Sequence, residues 1–165
     1  MSVKRIFKHL FAPRWIVSRA FPSRALQRIE ATIGESETTH DGELRFAVEA
    51  GLDLLPLLKG VTPRQRAHDV FSQLRVWDTE HNSGVLIYVQ LDDRRIEIVA
   101  DRGISAKVEQ DQWEAICRKM EAAFRAGQFE KGALESLGEI TALLARHFPP
   151  TDRNPDELPD RPVIL

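Results

Sequence analysis

Residues Gly84–Leu91 (GVLIYVQL) are almost uniformly apolar, and only Asp92-Asp93 separates them from Arg94–Asp101 (RRIEIVAD), which alternates polar and apolar side chains. An uninterrupted apolar run of this length fits a central strand covered on both faces, and an alternating run fits a strand with one covered face. Joined by a two-residue reversal, they form a β-hairpin whose register can be worked out on paper. Val89 faces Ile96, Ile87 faces Ile98, Val85 faces Ala100, and Gly84 falls opposite Asp101. A slip of one residue would set apolar against charged positions, so the pairing is self-consistent. The reversal lacks glycine, which makes its turn chemistry less than ideal.

The remaining elements follow from periodicity and capping. Ala25, Leu26, Ile29 and Ile33 predict a helix over about Ser23–Ile33, ended by Gly34 and the polar run Glu35–Gly42. Glu43–Glu49 alternates, with Leu44, Phe46 and Val48 facing a core and Glu43, Arg45, Ala47 and Glu49 facing away. A Leu-rich connection (Leu52, Leu54, Leu55, Leu57, Leu58) leads to Thr62-Pro63-Arg64-Gln65, an N-cap, first-turn proline and capping-box glutamine that open a helix to about Leu74. Trp113, Ile116, Cys117, Met120 and Phe124 mark a further helix stopped by Gly127, and Leu134, Leu137, Ile140 and Leu144 mark another that runs to His147. From Phe148 onward lie five of the nine prolines, together with several acids. The expected fold is an α/β/α sandwich, Rossmann-like, around a small mixed sheet with one parallel crossover and a β-hairpin.

Charge divides the chain unevenly. The first 28 residues carry seven cations and no acid, leaving 16 cations against 25 acids in the rest of the 165 residues. Residues 1–21 read as a basic amphipathic arm on which Ile6, Phe7, Leu10 and Phe11 share one helical face, 22–148 as the α/β domain, and 149–165 as a Pro-rich acidic tail expected to be disordered. Such an arm suits an anionic membrane surface or a protein complex, each Lys or Arg adding about 1 kcal/mol at the lipid surface. The same residues also suit docking on the acidic body. No apolar run reaches the roughly 18 residues that cross a bilayer, and no secretory signal follows the cations, so the expected location is cytoplasmic, peripheral at the inner membrane. Nucleic acid is not an expected partner, because the acidic body repels phosphates. The single cysteine, Cys117, excludes an intrachain disulfide and a multi-cysteine metal site, and its helical stripe marks it as a buried, inert thiol.

Two stretches carry a resemblance. Trp77-Asp78-Thr79-Glu80-His81-Asn82-Ser83-Gly84-Val85-Leu86-Ile87-Tyr88-Val89, then Asp93 through Ile104 (DRRIEIVADRGI), resemble the TPM domain, in which an Asn-Gly-like turn enters a buried strand and a basic hairpin leads into the next. Phe124–Gly132 (FRAGQFEKG) resembles that family's aromatic and glycine segment between its last helices. The similarity spans roughly residues 22–148. It implies a Rossmann-like α/β sandwich. It also implies kinship with a plant thylakoid-lumen protein linked to photosystem repair, for which acid-phosphatase activity and calcium binding have been proposed, and with membrane-associated bacterial proteins of unknown activity. The chain is expected to depart from longer members in carrying no signal peptide or membrane anchor, and Ser83 stands where asparagine often occurs.

The hairpin register places Asp101 at the entrance of the apolar strand, beside Asp78, Glu80, His81 and Asn82, and a parallel neighbour would bring His40 and Asp41 to the same edge. Carboxylate and amide oxygens from Asp78, Glu80, Asn82 and Asp101, with His40, form a candidate metal set for Ca²⁺ or Mg²⁺. A cation there would polarise a phosphate and activate water. The same residue types also cap turns, and the set lies at the amino end of the strands, whereas open α/β sheets bind ligands at the carboxyl end. No nucleophile with an adjacent base is evident, which favours an interaction module over the alternative, a divalent-metal-dependent phosphatase.

Overall fold

The computed structural model describes residues 15–51, 60–151 and 156–165. The Leu-rich connection and the Ile6–Phe11 face of the arm lie outside the described residues. In chain order the elements are α1 (Trp15–Ala20), α2 (Ser23–Glu37), β1 (Glu43–Glu49), α3 (Pro63–Gln73), β2 (Gly84–Gln90), β3 (Arg95–Ala100), α4 (Arg102–Ser105), α5 (Gln110–Arg125), α6 (Phe129–His147) and β4 (Val163–Ile164). The sheet order is β3-β2-β1-β4, with β1 parallel to both β2 and β4 and β2 antiparallel to β3.

The hairpin pairs Val89 with Ile96, Ile87 with Ile98 and Val85 with Ala100, and the Asp101 amide donates to the Gly84 carbonyl at 2.9 Å. The expected register is therefore present, but the reversal is longer than expected. Gln90 and Arg95 form the last pair, Leu91–Arg94 make the turn, and Arg94 takes a left-handed φ of 51°. Without a glycine, the tight two-residue turn opens by one residue on each side, which preserves the register.

One apolar layer packs Leu44, Phe46, Val85, Ile87, Val89, Ile96 and Ile98 against α1, α2, α5 and α6; the other packs Ala47, Leu86, Tyr88 and Val99 against α3 and Leu158. The Thr62 capping box forms as its sequence predicts, Thr62 accepting from the Gln65 amide while Gln65 accepts from the Thr62 amide. Val17, Ala20 and Phe21, within the stretch read as an arm, are buried in the first layer. Phe21 meets Phe46, Phe124 and Phe129 edge-on at 5.7 to 5.9 Å between centroids.

Three expectations are corrected. Gly34 does not end α2, which continues to Glu37. The glycine instead admits Asp160, whose Oδ2 would stand 2.6 Å from an added Cβ. The last ten residues, expected to be disordered, return to the sheet edge: the Leu165 amide donates to the Val48 carbonyl at 2.9 Å and Leu158 is buried. In consequence β1 is an interior strand and all seven of its residues are buried, including Glu43, Arg45 and Glu49 on the face that reads as solvent-exposed.

Candidate functional site

Three of the five proposed metal ligands, Asp101, Asn82 and His40, take part in local hydrogen bonds. Asp101 caps the one-turn α4, its Oδ1 accepting from the Arg102 amide at 2.7 Å. Asn82 Oδ1 accepts from Arg102 Nε at 2.8 Å, which sets a guanidinium where the cation was expected. Asp78 and Glu80 are exposed, and the Glu80 amide donates to Glu157. His40 is fully buried, its Nδ1 accepts from the Gly42 amide at 3.1 Å, and burial lowers its pKa. Gly103 holds α4 against this loop, because a Cβ there would stand 2.6 Å from the His81 carbonyl.

The amino edge of β1 carries a different acidic group. Among the described residues, carboxylate oxygens of Glu37, Asp156 and Asp160 lie within 4.8 Å of one another, an arrangement able to hold a metal ion. None of the five predicted ligands belongs to it. Buried Glu43 lies close by, its Oε2 accepting from the Leu158 amide at 3.0 Å. Arg45, 6% exposed, has Nε and Nη1 without hydrogen-bond partners and feels the charges of Asp160 and Glu37. Burial, reinforced by Glu43 and Asp160, pushes Glu37 up to about 9 despite the Leu44 amide it accepts from at 2.8 Å, and burial pushes Glu43 up to about 7. Burial thus favours the protonated form of Glu37 and Glu43 beside the Arg45 guanidinium.

At the carboxyl edge, Glu49 ends β1 and Gln90 ends β2. Arg66 of α3 grips buried Glu49 with Nη2 at 2.7 Å and Nε at 3.1 Å, the Tyr88 hydroxyl donates to Glu49 Oε2, and Gln90 Nε2 donates to the Tyr88 oxygen at 3.1 Å. Beyond Gln90, a cavity of about 350 Å³ opens between the hairpin tip, α1 and the α5–α6 junction. Arg19, Arg94, Arg95 and Arg125 stand around it, against one acid, Asp92. Sequence reasoning placed Asp92 at this edge but missed the network and the cavity, whose arginines come from four separate elements. Glu49 and Gln90, polar residues closing otherwise buried strands, were the available signal. Cys117 is half-buried, and burial pushes its thiol up to about 12, in keeping with an inert side chain.

The model of the TPM domain matches residues 19–143. The chain belongs to the TPM domain family. A similar solved structure is the NMR structure of the BA42 protein from the psychrophilic bacterium Bizionia argentinensis, 28% identical, with a TM-score of 0.77 over 88% of this chain and 95% of that one. The N-terminal domain of a protein from P. gingivalis, 17% identical, shares the fold alone, with a TM-score of 0.62 over 81% of this chain and 84% of that one. No curated protein matches the chain.

The TPM match ends at residue 143, before the segment that contributes Asp156, Asp160, Leu158 and β4. The acidic group is therefore built jointly by the TPM core and the C-terminal segment, and it ties that segment's stability to pH. Glu37 and Glu43 have folded pKa values above the unfolded value of 4.5, so the folded chain binds more protons. Their stabilising contribution is complete below about pH 4.5 and is lost as pH rises through 7 and 9. Glu37→Gln keeps an acceptor for the Leu44 amide without a buried charge. We expect it to raise unfolding free energy at pH 8 by about 1–2 kcal/mol after allowance for solvent access, and to flatten the pH dependence. Urea melts at pH 5.5 and 8 check this, and equal gains at both would refute it.

Proposed function

We propose that this TPM domain is a non-catalytic interaction module that sits on an anionic membrane surface. Its basic arm, residues 1–21, and the arginine face that continues it make the contact. The observation that carries the reading is the position of α1, which brings Ile16 and Arg19 to the same cavity as Arg94, Arg95 and Arg125 and leaves Trp15 59% exposed. A basic face edged by an exposed tryptophan suits the lipid interface, where rings lie at headgroup depth and cations face anionic lipid. Among the described residues no helix is long and apolar enough to cross a membrane; this reading makes the contact peripheral and places it at the inner membrane, on the cytoplasmic side.

Co-sedimentation with phosphatidylserine-containing vesicles tests the proposal. Truncation through residue 21 would remove buried Val17 and Phe21 and confound the result, so charge substitution is the better probe. Arg19→Gln with Arg94→Gln should weaken binding by about 30-fold at low salt, two cations at about 1 kcal/mol each, and high salt should abolish it. Binding unchanged by both treatments would remove the membrane role.

A second reading, a divalent-metal-dependent phosphatase acting on phosphomonoesters, is favoured by the Glu37, Asp156 and Asp160 group, whose oxygens suit Ca²⁺ or Mg²⁺. Arg45 and the proton on Glu37 oppose a cation there. Under this reading Ca²⁺ shifts the amides of residues 37, 156 and 160 together, and hydrolysis of p-nitrophenyl phosphate follows the metal. The loop set Asp78, Glu80, Asn82, Asp101 and His40 is tested in the same titration. Flat titrations without turnover leave the interaction module.

A further inference from the structure

We infer that the cavity at the hairpin tip binds a small amphiphilic carboxylate, an organic acid with an aliphatic or aryl body. The inference rests on the proposed arginine-rich face and assigns it a ligand. Its volume of about 350 Å³ lies in the range of small-molecule pockets. Ile16, Leu91, Phe124 and Phe129 supply apolar wall, the two phenyl rings meeting at 5.0 Å between centroids. Nothing in that wall can hold a hydrophilic anion by itself, and nothing in it repels an alkyl or aryl group.

The rim supplies the opposite chemistry. Arg95 and Arg125 share one carboxylate, Glu121, each at a long 3.6 Å, which leaves guanidinium donors on both unspent. Arg19 and Arg94 have no ion pair among the described residues. The lining itself sets four arginines against Asp92, so positive charge prevails at the mouth of the cavity. A guanidinium fork matches a carboxylate in two parallel hydrogen bonds, so the head of such a ligand lies at the rim and its body over the phenyl rings.

Arg94 adds an independent pointer. It occupies the left-handed position of the turn, where glycine or asparagine relieves the strain that a longer side chain suffers. Its side chain lines the cavity, and strained residues gather where a side chain serves a ligand. The location also agrees with the general habit of open α/β sheets, whose ligands gather beyond the carboxyl ends of the strands.

The test is an amide-shift titration of the full chain with octanoate below its micelle concentration, alongside acetate and octanol. Saturable shifts confined to residues 16–20, 90–95 and 124–129 are expected, with acetate and octanol each at least about tenfold weaker, because each keeps only one half of the recognition. Arg94→Gln and, separately, Arg19→Gln should each weaken octanoate by about tenfold with the rest of the spectrum unchanged. Acetate as tight as octanoate would reduce the site to surface charge, and octanol as tight would reduce it to an apolar dent; either overturns the inference, as does the absence of saturation. Octanoate binding without vesicle binding removes the membrane reading and leaves the site. Vesicle binding without octanoate shifts removes the site and leaves the membrane reading.

Discussion

Gly84→Ala is expected to cost about 3 kcal/mol or more and to lower Tm by roughly 10 °C. A Cβ on Gly84 would stand 1.8 Å from the Val76 carbonyl oxygen and 2.9 Å from its carbon, so backbone, not a flexible side chain, must move. Neither partner has room to yield. Gly84 is paired with Glu43 of β1 on one side and accepts from the Asp101 amide on the other, and Val76 is fully buried in the layer beneath α3. The substitution would push the 75–77 segment off the sheet or break the first pair of the parallel crossover. Gly138→Ala serves as the control: it is exposed in the interior of α6 with open space around the added carbon, so it should gain about 0.5–1 kcal/mol from helix propensity. Thermal unfolding of the two variants side by side decides the matter, and an unchanged Tm for Gly84→Ala would mean that Val76 does not pack as described.

That glycine shows what could be read in the sequence. Its position as the first residue of the apolar strand, opposite Asp101, follows from the hairpin register alone, because a period of two leaves one alignment in which the apolar residues of RRIEIVAD meet those of GVLIYVQL. The parallel crossover and the α5 and α6 stripes were legible for the same reason, that local periodicity reports which face is covered. What covers a face when the cover comes from far along the chain is not local. β1 alternates as though half-exposed, yet Glu43 and Arg45 are buried where residues 156–165 return from more than a hundred positions away, and Glu49 is buried where Arg66 of α3 reaches it. The Val163-Ile164-Leu165 run after the last proline was the available hint, outweighed by the prolines and acids before it.

The candidate metal site turns on a related point. Register correctly brought Asp101 to Gly84, but neighbourhood on a sheet edge does not decide what a side chain does there. Asp101 is followed directly by a helical turn whose amides need a cap, and Arg102 reaches back to Asn82. Local hydrogen bonds claim these oxygens first. Glu37, by contrast, enters an acidic group because α2 runs past Gly34, whose missing side chain lets Asp160 approach.

Arg66→Ala is expected to cost about 3–5 kcal/mol, because it leaves the Glu49 carboxylate buried and without its cation. Glu49 is 5% exposed and the Arg66 side chain is its only salt-bridge partner among the described residues, held through two nitrogens. The Tyr88 hydroxyl remains as a donor, so Tyr88→Phe alone should cost less, about 2–3 kcal/mol, for a hydrogen bond to a charged group and the acceptor of buried Gln90 Nε2. Pairing the two substitutions separates the charge from the packing. Arg66→Met with Glu49→Gln replaces the ion pair by neutral groups of similar volume, and it should recover most of the loss, since a buried pair gains little over such a replacement once both desolvation penalties are removed. Urea unfolding of the three variants reads each value. Should Arg66→Ala cost less than about 1 kcal/mol, Glu49 must be solvated in solution, and the carboxyl edge would then be open to water beneath α3.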